Sequence, residues 1–123
     1  MKDLSHVVAM IDRVWEEPLR GKVPHCYIDV SLYNNLKSEI PDNVVVLEEV
    51  FPENELDDIW ENFKPYLESH KIFPFIGVLG GAVICIGYGE NNSGEIFYFD
   101  FDFGKIPLDG DDLNSFLKKL KKA

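Results

Sequence analysis

The chain has little cysteine and little positive charge, and both shortages exclude classes of function. Its two cysteines, Cys26 and Cys85, lie in no Cys-x-x-Cys or Cys/His spacing, so neither a disulfide framework nor a zinc site is predicted. Twelve Lys and Arg against 22 Asp and Glu give a formal net charge of −10. That charge repels phosphate backbones and anionic lipid surfaces, so we expect neither a nucleic-acid nor a membrane partner.

An uninterrupted apolar run of membrane-spanning length is also missing. The longest apolar run, residues 72–88, is interrupted by Pro74, Gly77, Gly80, Gly81 and Gly87, which is typical of paired short strands. Near the N-terminus, His6, Asp12 and Arg13 interrupt the apolar positions, so no signal peptide is predicted and the protein is expected to start at Met1. We expect a cytoplasmic protein, which the low cysteine content also fits.

The sequence predicts one α+β domain over residues 1–123, with a central antiparallel sheet and flanking helices. Its length and its 46% hydrophobic residues suffice for one core. Apolar spacing predicts the following helices: one from Asp3 to before Pro18, capped by Asp3 or Ser5; one over residues 31–40; one starting at a capping Asn54, with a kink or a second helix at Pro65; and one after Gly110. Residues 17–23 read as a turn or loop, and residues 26–30 and 44–47 as short strands.

The second half predicts a meander of three strands, over residues 73–79, 82–88 and 95–103. In the last strand a phenylalanine stands at every second position, which is typical of a half-buried antiparallel strand. The core side of that strand is predicted to carry Phe97, Phe99, Phe101 and Phe103, and the other side Tyr98, Asp100 and Asp102.

No motif in the chain predicts catalysis. Gly87-Tyr88-Gly89 lacks the third glycine of a dinucleotide-binding loop, and the carboxylates between Asp100 and Asp112 fail the EF-hand offsets. No serine or cysteine has a recognisable nucleophile elbow around it, and the adjacent residues His25 and Cys26 are expected to point to opposite faces of a strand. Asp100 and Asp102 on one strand face leave a small metal-dependent hydrolase open as an alternative. We predict no catalytic residue, no cofactor and no metal.

One segment carries a dense run of acidic residues. Fourteen residues contain seven carboxylates and no Lys or Arg: Glu48, Glu49, Glu53, Glu55, Asp57, Asp58 and Glu61. A surface of one sign forgoes stabilising pairs along a helix and repels itself, which is tolerable where a cationic partner binds. A solvated face and a partner site both stay open on this pattern.

Residues 72–120 carry a series of short motifs in a familiar order. They are Phe73-Pro74-Phe75-Ile76, Gly80-Gly81, Ile84-Cys85-Ile86, the strand from Gly94 to Asp100, and Asp112-Leu113-Asn114-Ser115-Phe116-Leu117. In this order the segment resembles the SUKH superfamily, the Smi/Knr-like domains. The first half of the chain departs from the usual SUKH pattern.

The resemblance implies an α+β fold, no enzymatic activity and frequent service in bacteria as an immunity protein that neutralises a cognate polymorphic toxin. Many such toxins are nucleases with basic clefts, so the predicted partner is a basic toxin protein. The predicted partner-binding residues are the seven acids of the run above together with Tyr98, Asp100 and Asp102. A regulatory scaffold or peptide-binding module of the same fold is the alternative that partner number would distinguish.

Overall fold

The fold was obtained as a computed structural model, which describes residues 4–123. A seven-stranded sheet runs through it, with every pairing antiparallel and the strand order β6-β5-β4-β3-β2-β1-β7. The strands are β1 (Cys26–Asp29), β2 (Val44–Val50), β3 (Ile72–Val78), β4 (Val83–Gly87), β5 (Ile96–Asp100), β6 (Gly104–Pro107) and β7 (Lys121–Lys122). The helices are α1 (Ser5–Ile11), α2 (Leu19–Lys22), α3 (Asn34–Glu39), α4 (Leu56–Leu67) and α5 (Leu113–Lys119). The predicted α+β class with a central antiparallel sheet is confirmed.

The core lies at the middle of the sheet. Every residue of β3 and β4 is buried, because both faces of these strands are covered. The β3-β4-β5 meander pairs as the sequence predicts. On α4, Trp60 packs against Phe73 of β3 with ring centroids 5.1 Å apart, which fixes the helix to the sheet.

The prediction of four core phenylalanines is wrong for two of them. Phe97 and Phe99 are 4% and 6% exposed, but Phe101 and Phe103 are 59% and 43% exposed. The cause is a turn, because β5 ends at Asp100 and the chain returns as β6 from Gly104, which has a positive φ of 77°. The predicted strand over residues 95–103 is therefore too long, and β6 was not predicted.

Several helix boundaries also differ from the prediction. Residues 17–23 contain α2, whose four residues are too few to show an apolar period. The N-cap residue of α1 is Leu4 and that of α4 is Glu55, and neither makes a side-chain capping hydrogen bond. The predicted capping by Ser5 or Asn54 is therefore wrong. Asp3, the other predicted cap of the first helix, lies outside the described residues. α4 continues across Pro65 to Leu67 as one helix, so a second helix there is also wrong.

The two outer strands of the sheet are short. β6 has four residues and is flanked by α3, where Asn35 Nδ2 donates to the carbonyl of Pro107 at 3.1 Å. β7 has two residues, and Lys121 Nζ lies 2.6 Å from Asp29 Oδ2 of β1. This hydrogen bond to Lys121, with a second from Ser31, lowers the pKa of Asp29 to about 2.

Lys121→Ala is expected to raise the pKa of Asp29 from about 2 toward its ordinary value of 3.8. Lys121 supplies the largest cause of the lowered pKa, while the Ser31 bonds remain and keep the value below 3.8. Because the folded pKa is depressed, Asp29 contributes stability above pH 3.8 that is lost as the pH falls toward 2. An NMR titration of the Asp29 carboxyl measures the change.

Lys122→Ala is the matched control for that titration. Lys122 is the other residue of β7 and pairs with Cys26, whereas Lys121 pairs with Tyr27. Neighbouring side chains on a strand point to opposite faces, so the control should leave the pKa of Asp29 near 2. If the pKa of Asp29 stays near 2 in Lys121→Ala, the assignment of this ion pair is wrong.

Candidate functional site

The seven acids of the predicted run are all exposed and form what we call the acidic surface. Glu48 and Glu49 lie near the end of β2, Glu53 and Glu55 on a single turn of 3₁₀ helix, and Asp57, Asp58 and Glu61 on the first half of α4. The seven carboxylates therefore all face solvent and belong to one continuous segment of the chain.

The local fold explains why these side chains face solvent. Leu56, Trp60 and Leu67 are the buried positions of α4 and recur at helical spacing, which holds that stripe against the sheet. The acids between them therefore occupy the outer side of the helix. Just before α4, the Phe51 amide donates to the carbonyl of Phe75 at 3.1 Å, which ties the connection from β2 to the core strand β3.

Most acids of the acidic surface make no ion pair with another residue of the range 4–123. Elsewhere, Asp29 pairs with Lys121 at 2.6 Å and Asp111 with Lys119 at 3.0 Å. Within residues 4–123, no ion pair is made by the following members of the surface: Glu48, Glu49, Glu53, Glu55, Asp58 and Glu61. Their fields add, so the surface attracts cations from beyond contact distance.

A groove opens beside the acidic surface. It has a volume of about 730 Å³ and is lined by Trp15, Arg20, Pro24, Glu49, Val50, Pro52, Glu53 and Asn54. Trp15 is fixed there because its Nε1 donates to the carbonyl of Phe51 at 2.8 Å. Sequence reasoning missed this groove, since its walls come from segments far apart in the chain and Trp15 read as one more apolar position of the first helix.

The other three predicted site residues lie elsewhere, on β5 and its following turn. Tyr98 is 5% exposed, and its hydroxyl donates to Asp100 Oδ2 at 3.3 Å. Burial, with the neighbouring Asp100 carboxylate, raises the pKa of Tyr98 well above its usual range. Asp100 Oδ1 accepts the amides of Asp102 at 2.6 Å and Phe103 at 3.2 Å. Asp102 itself is exposed.

These contacts remove the geometry on which the hydrolase alternative depended. Asp102 lies in the turn, so it does not share a strand face with Asp100, and both oxygens of Asp100 already accept hydrogen bonds. In the part of the chain from residue 4 to residue 123, no three His, Cys, Asp or Glu side chains are grouped so that they could hold a metal ion. Cys26 and Cys85 are free and buried, and burial raises the pKa of the Cys85 thiol.

The same turn exposes Phe101 and Phe103. Phe101 forms an aromatic patch with Tyr66 of α4, and we define the patch as these two residues. Phe103 lies apart from it, in a cleft beside Asn35 of α3. Phe101 stacks on Phe63 of α4 with centroids 6.0 Å apart and meets Tyr66 edge-on at 4.9 Å. Sequence reasoning missed this patch, because the alternation of phenylalanines indicates a strand. An aspartate followed four residues later by a glycine was the available signal for a turn.

Membrane insertion through a helix has no candidate in the described residues, none of whose helices is long and apolar enough to cross a bilayer.

Comparison with known proteins identifies the family of the chain. No curated protein matches the chain. The family model of RhsPI, the Rhs-associated immunity proteins, matches residues 22–121, a range that includes the acidic surface and the aromatic patch. The match supports the immunity-protein part of the expectation drawn from the SUKH resemblance and does not bear on SUKH membership itself. Because it covers most of the sequence, the chain belongs to the RhsPI family.

Proposed function

We propose that the protein binds a cognate Rhs toxin directly and neutralises it without catalysing a reaction. The RhsPI match over residues 22–121 carries this proposal, since an immunity protein acts on one toxin partner. The contacts of Asp100 and Asp102 add support, because they leave the paired carboxylates without an arrangement suited to acid–base work.

The chemistry of the acidic surface supports a basic toxin as the partner. Six of its acids lack an internal ion pair among the described residues, and the whole chain carries a formal charge of −10. A nuclease toxin holds its substrate in a basic cleft, and an acidic protein is steered into such a cleft faster than a neutral one. Binding there would exclude the nucleic acid, which explains neutralisation without chemistry.

In this proposal the predicted site residues have different roles. The seven acids contact the toxin or attract it, and Asp102 contacts it from the β5–β6 turn. Tyr98 is buried and donates a hydrogen bond to Asp100, which accepts the amide of Asp102. These two residues therefore act indirectly, by fixing the turn that carries Asp102. The motif order of residues 72–120 supports placing the chain among SUKH-type immunity domains, and two free buried cysteines are compatible with the cytoplasm.

The test uses the Rhs toxin domain encoded beside the gene for this chain. We expect that the toxin domain stops cell growth when produced alone and that co-production of this chain restores growth. The purified proteins should form a complex whose association rate falls about tenfold as the salt concentration rises from about 0.05 to about 0.5 M. Stopped-flow fluorescence at several salt concentrations measures this.

Two results would contradict different parts of the proposal, the immunity function and the basic partner surface. If the chain neither binds the toxin domain nor restores growth, the immunity function is wrong. If it binds with a rate that does not depend on salt, the toxin-binding function stands and the proposal of a basic partner surface is wrong.

A further inference from the structure

Phe101 is an exposed aromatic side chain that the fold holds in a fixed position. Its ring stacks on Phe63 at an interplanar angle of 22° and meets Tyr66 and Phe99 at 89° and 80°. The centroids of these three rings lie 6.0, 4.9 and 5.3 Å from that of Phe101. Three aromatic contacts restrict the ring although more than half of its surface is in water.

The turn that carries Phe101 is also fixed. Asp100 pairs with Gly104 across the β5–β6 hairpin, which leaves residues 101–103 as its loop. Asp100 Oδ1 accepts two amides of that loop, and its Oδ2 accepts the hydroxyl of the buried Tyr98. A tight loop of this kind usually carries polar residues, so two phenylalanines there are not required by the turn.

Such a patch has the properties of an interface anchor. Tyr66 is 51% exposed and lies edge-on against Phe101, so the apolar surface is contiguous. Aromatic side chains that are already ordered lose little conformational entropy on binding, and they dominate the energy of interfaces when a partner removes them from water.

Charge around the patch indicates the chemistry of what covers it. Asp58, Asn62 and Tyr66 are spaced by four along α4, so one row of the helix joins the acidic surface to the patch. Asp102 stands next to Phe101 in the loop. Lys105 of β6 is exposed, with Nζ 5.6 Å from the ring centroid of Phe97, and Lys64 is half-buried. Asp58 and Asp102 therefore place negative charge on the side of the patch that faces the acidic surface and in the loop itself.

We propose that Phe101, flanked by Tyr66, is the principal anchor of the toxin interface and occupies an apolar pocket of the toxin whose rim carries Lys or Arg side chains. This inference rests on the proposed function. In it, the acidic surface steers the toxin and sets the association rate, whereas the aromatic patch holds the complex and sets the dissociation rate.

The test measures binding of the same toxin domain by calorimetry and surface plasmon resonance. Phe101→Ala should weaken the affinity by at least about 30-fold, mainly through faster dissociation. Tyr66→Ala removes the other ring of the patch and leaves the contacts of Phe101 with Phe63 and Phe99 in place. Because Tyr66 is 51% exposed, this variant tests the patch with little risk to the fold, and it should weaken binding by about three- to tenfold. Thermal unfolding of each variant checks that it remains folded.

Leu32→Ala is the matched control, because Leu32 is another exposed apolar side chain, 43% exposed. It lies outside the acidic surface, on the 3₁₀ turn that follows β1, and β1 is the fourth strand from β5 in the sheet. The control should bind within about twofold of the unchanged protein, since an apolar side chain outside the interface contributes little to the affinity.

The outcomes separate this inference from the proposed function. If the unchanged protein binds and the Phe101 and Tyr66 variants both bind within about twofold of it, the anchor is wrong and the toxin-binding function stands. Equal losses in Leu32→Ala and Phe101→Ala would also overturn the anchor. If the unchanged protein does not bind the toxin domain, the proposed function fails and the anchor with it.

Discussion

Gly87→Ala is expected to lower the free energy of unfolding by about 3 kcal/mol, at the upper end of the usual range for overpacking. A Cβ at this position would lie 2.2 Å from the carbonyl oxygen of Asn92 and 2.7 Å from its Cγ, and the first of these is backbone that cannot rotate away. A loss of this size is a large fraction of the stability of a domain. Urea unfolding followed by tryptophan fluorescence measures it.

The close approach at Gly87 comes from the loop between β4 and β5. Asn92 Oδ1 accepts the Gly89 amide at 2.8 Å, and its Nδ2 donates to the carbonyl of His70 at 3.1 Å, which joins the loop to the start of β3. The Gly87 amide donates to the carbonyl of Glu95 at 2.8 Å. Moving Asn92 to admit a methyl group therefore disturbs bonds on both sides of the loop.

Gly21→Ala is the matched control for this prediction. Gly21 lies in α2, where a Cβ would meet only Glu17 Oε2 at 3.2 Å, the end of a flexible side chain. Alanine is favoured over glycine in helices by about 0.5–1 kcal/mol, so the control should be unchanged or slightly more stable. If Gly87→Ala unfolds at the same urea concentration as the unchanged protein, the steric argument is wrong.

Neutralising part of the acidic surface is expected to have the largest effect on the rate at which the toxin associates. The variant replaces four exposed acids by their amides: Glu53→Gln, Glu55→Gln, Asp58→Asn and Glu61→Gln. Its association rate with the toxin domain should fall about tenfold or more at low salt, because these charges produce the local field that attracts a basic partner. The rate should also depend less on salt, which stopped-flow fluorescence would show.

The control variant for the acidic surface has the same total charge as the variant with four neutralised acids. Glu16→Gln, Glu39→Gln, Asp42→Asn and Glu90→Gln are four exposed acids outside it, and either set of substitutions changes the formal charge from −10 to −6. The control should associate within about threefold of the unchanged protein, because local rather than total charge directs docking. Equal slowing by the two sets would mean that only the total charge matters.

Apolar periodicity predicts the regular parts of this fold and misses the short ones. The β3-β4-β5 meander and the stripe Leu56, Trp60 and Leu67 of α4 follow from repeating patterns over many residues. β7, with two residues, and α2, with four, are too short to have a pattern. Their positions depend on tertiary contacts, such as the Ala123 amide donating to the carbonyl of His25 at 2.8 Å, which sequence reasoning does not reveal.

The candidate site also has one part that the sequence predicts and one part that depends on tertiary contacts. The seven acids are neighbours in one segment of the chain and all are exposed, so the sequence alone identifies the acidic surface. The aromatic patch joins Tyr66 to Phe101 across 35 positions, and only the packing of α4 on the sheet brings them together. After β5 the carboxylate of Asp100 accepts the amides of Asp102 and Phe103, and these hydrogen bonds turn the chain. The alternation of buried and exposed residues along β5 therefore does not continue to Phe101.

The two outer strands affect how the protein behaves at high concentration. Long bare sheet edges recruit further strands and begin aggregation, and natural proteins prevent this with short strands, lysines and prolines. On one side β7 consists of two lysines; on the other, β6 ends at Pro107, which has no amide hydrogen to donate, with α3 beside it. A protein that neutralises by mass action works best far above its dissociation constant. These edges allow the chain to accumulate to such levels without recruiting copies of itself into a growing sheet.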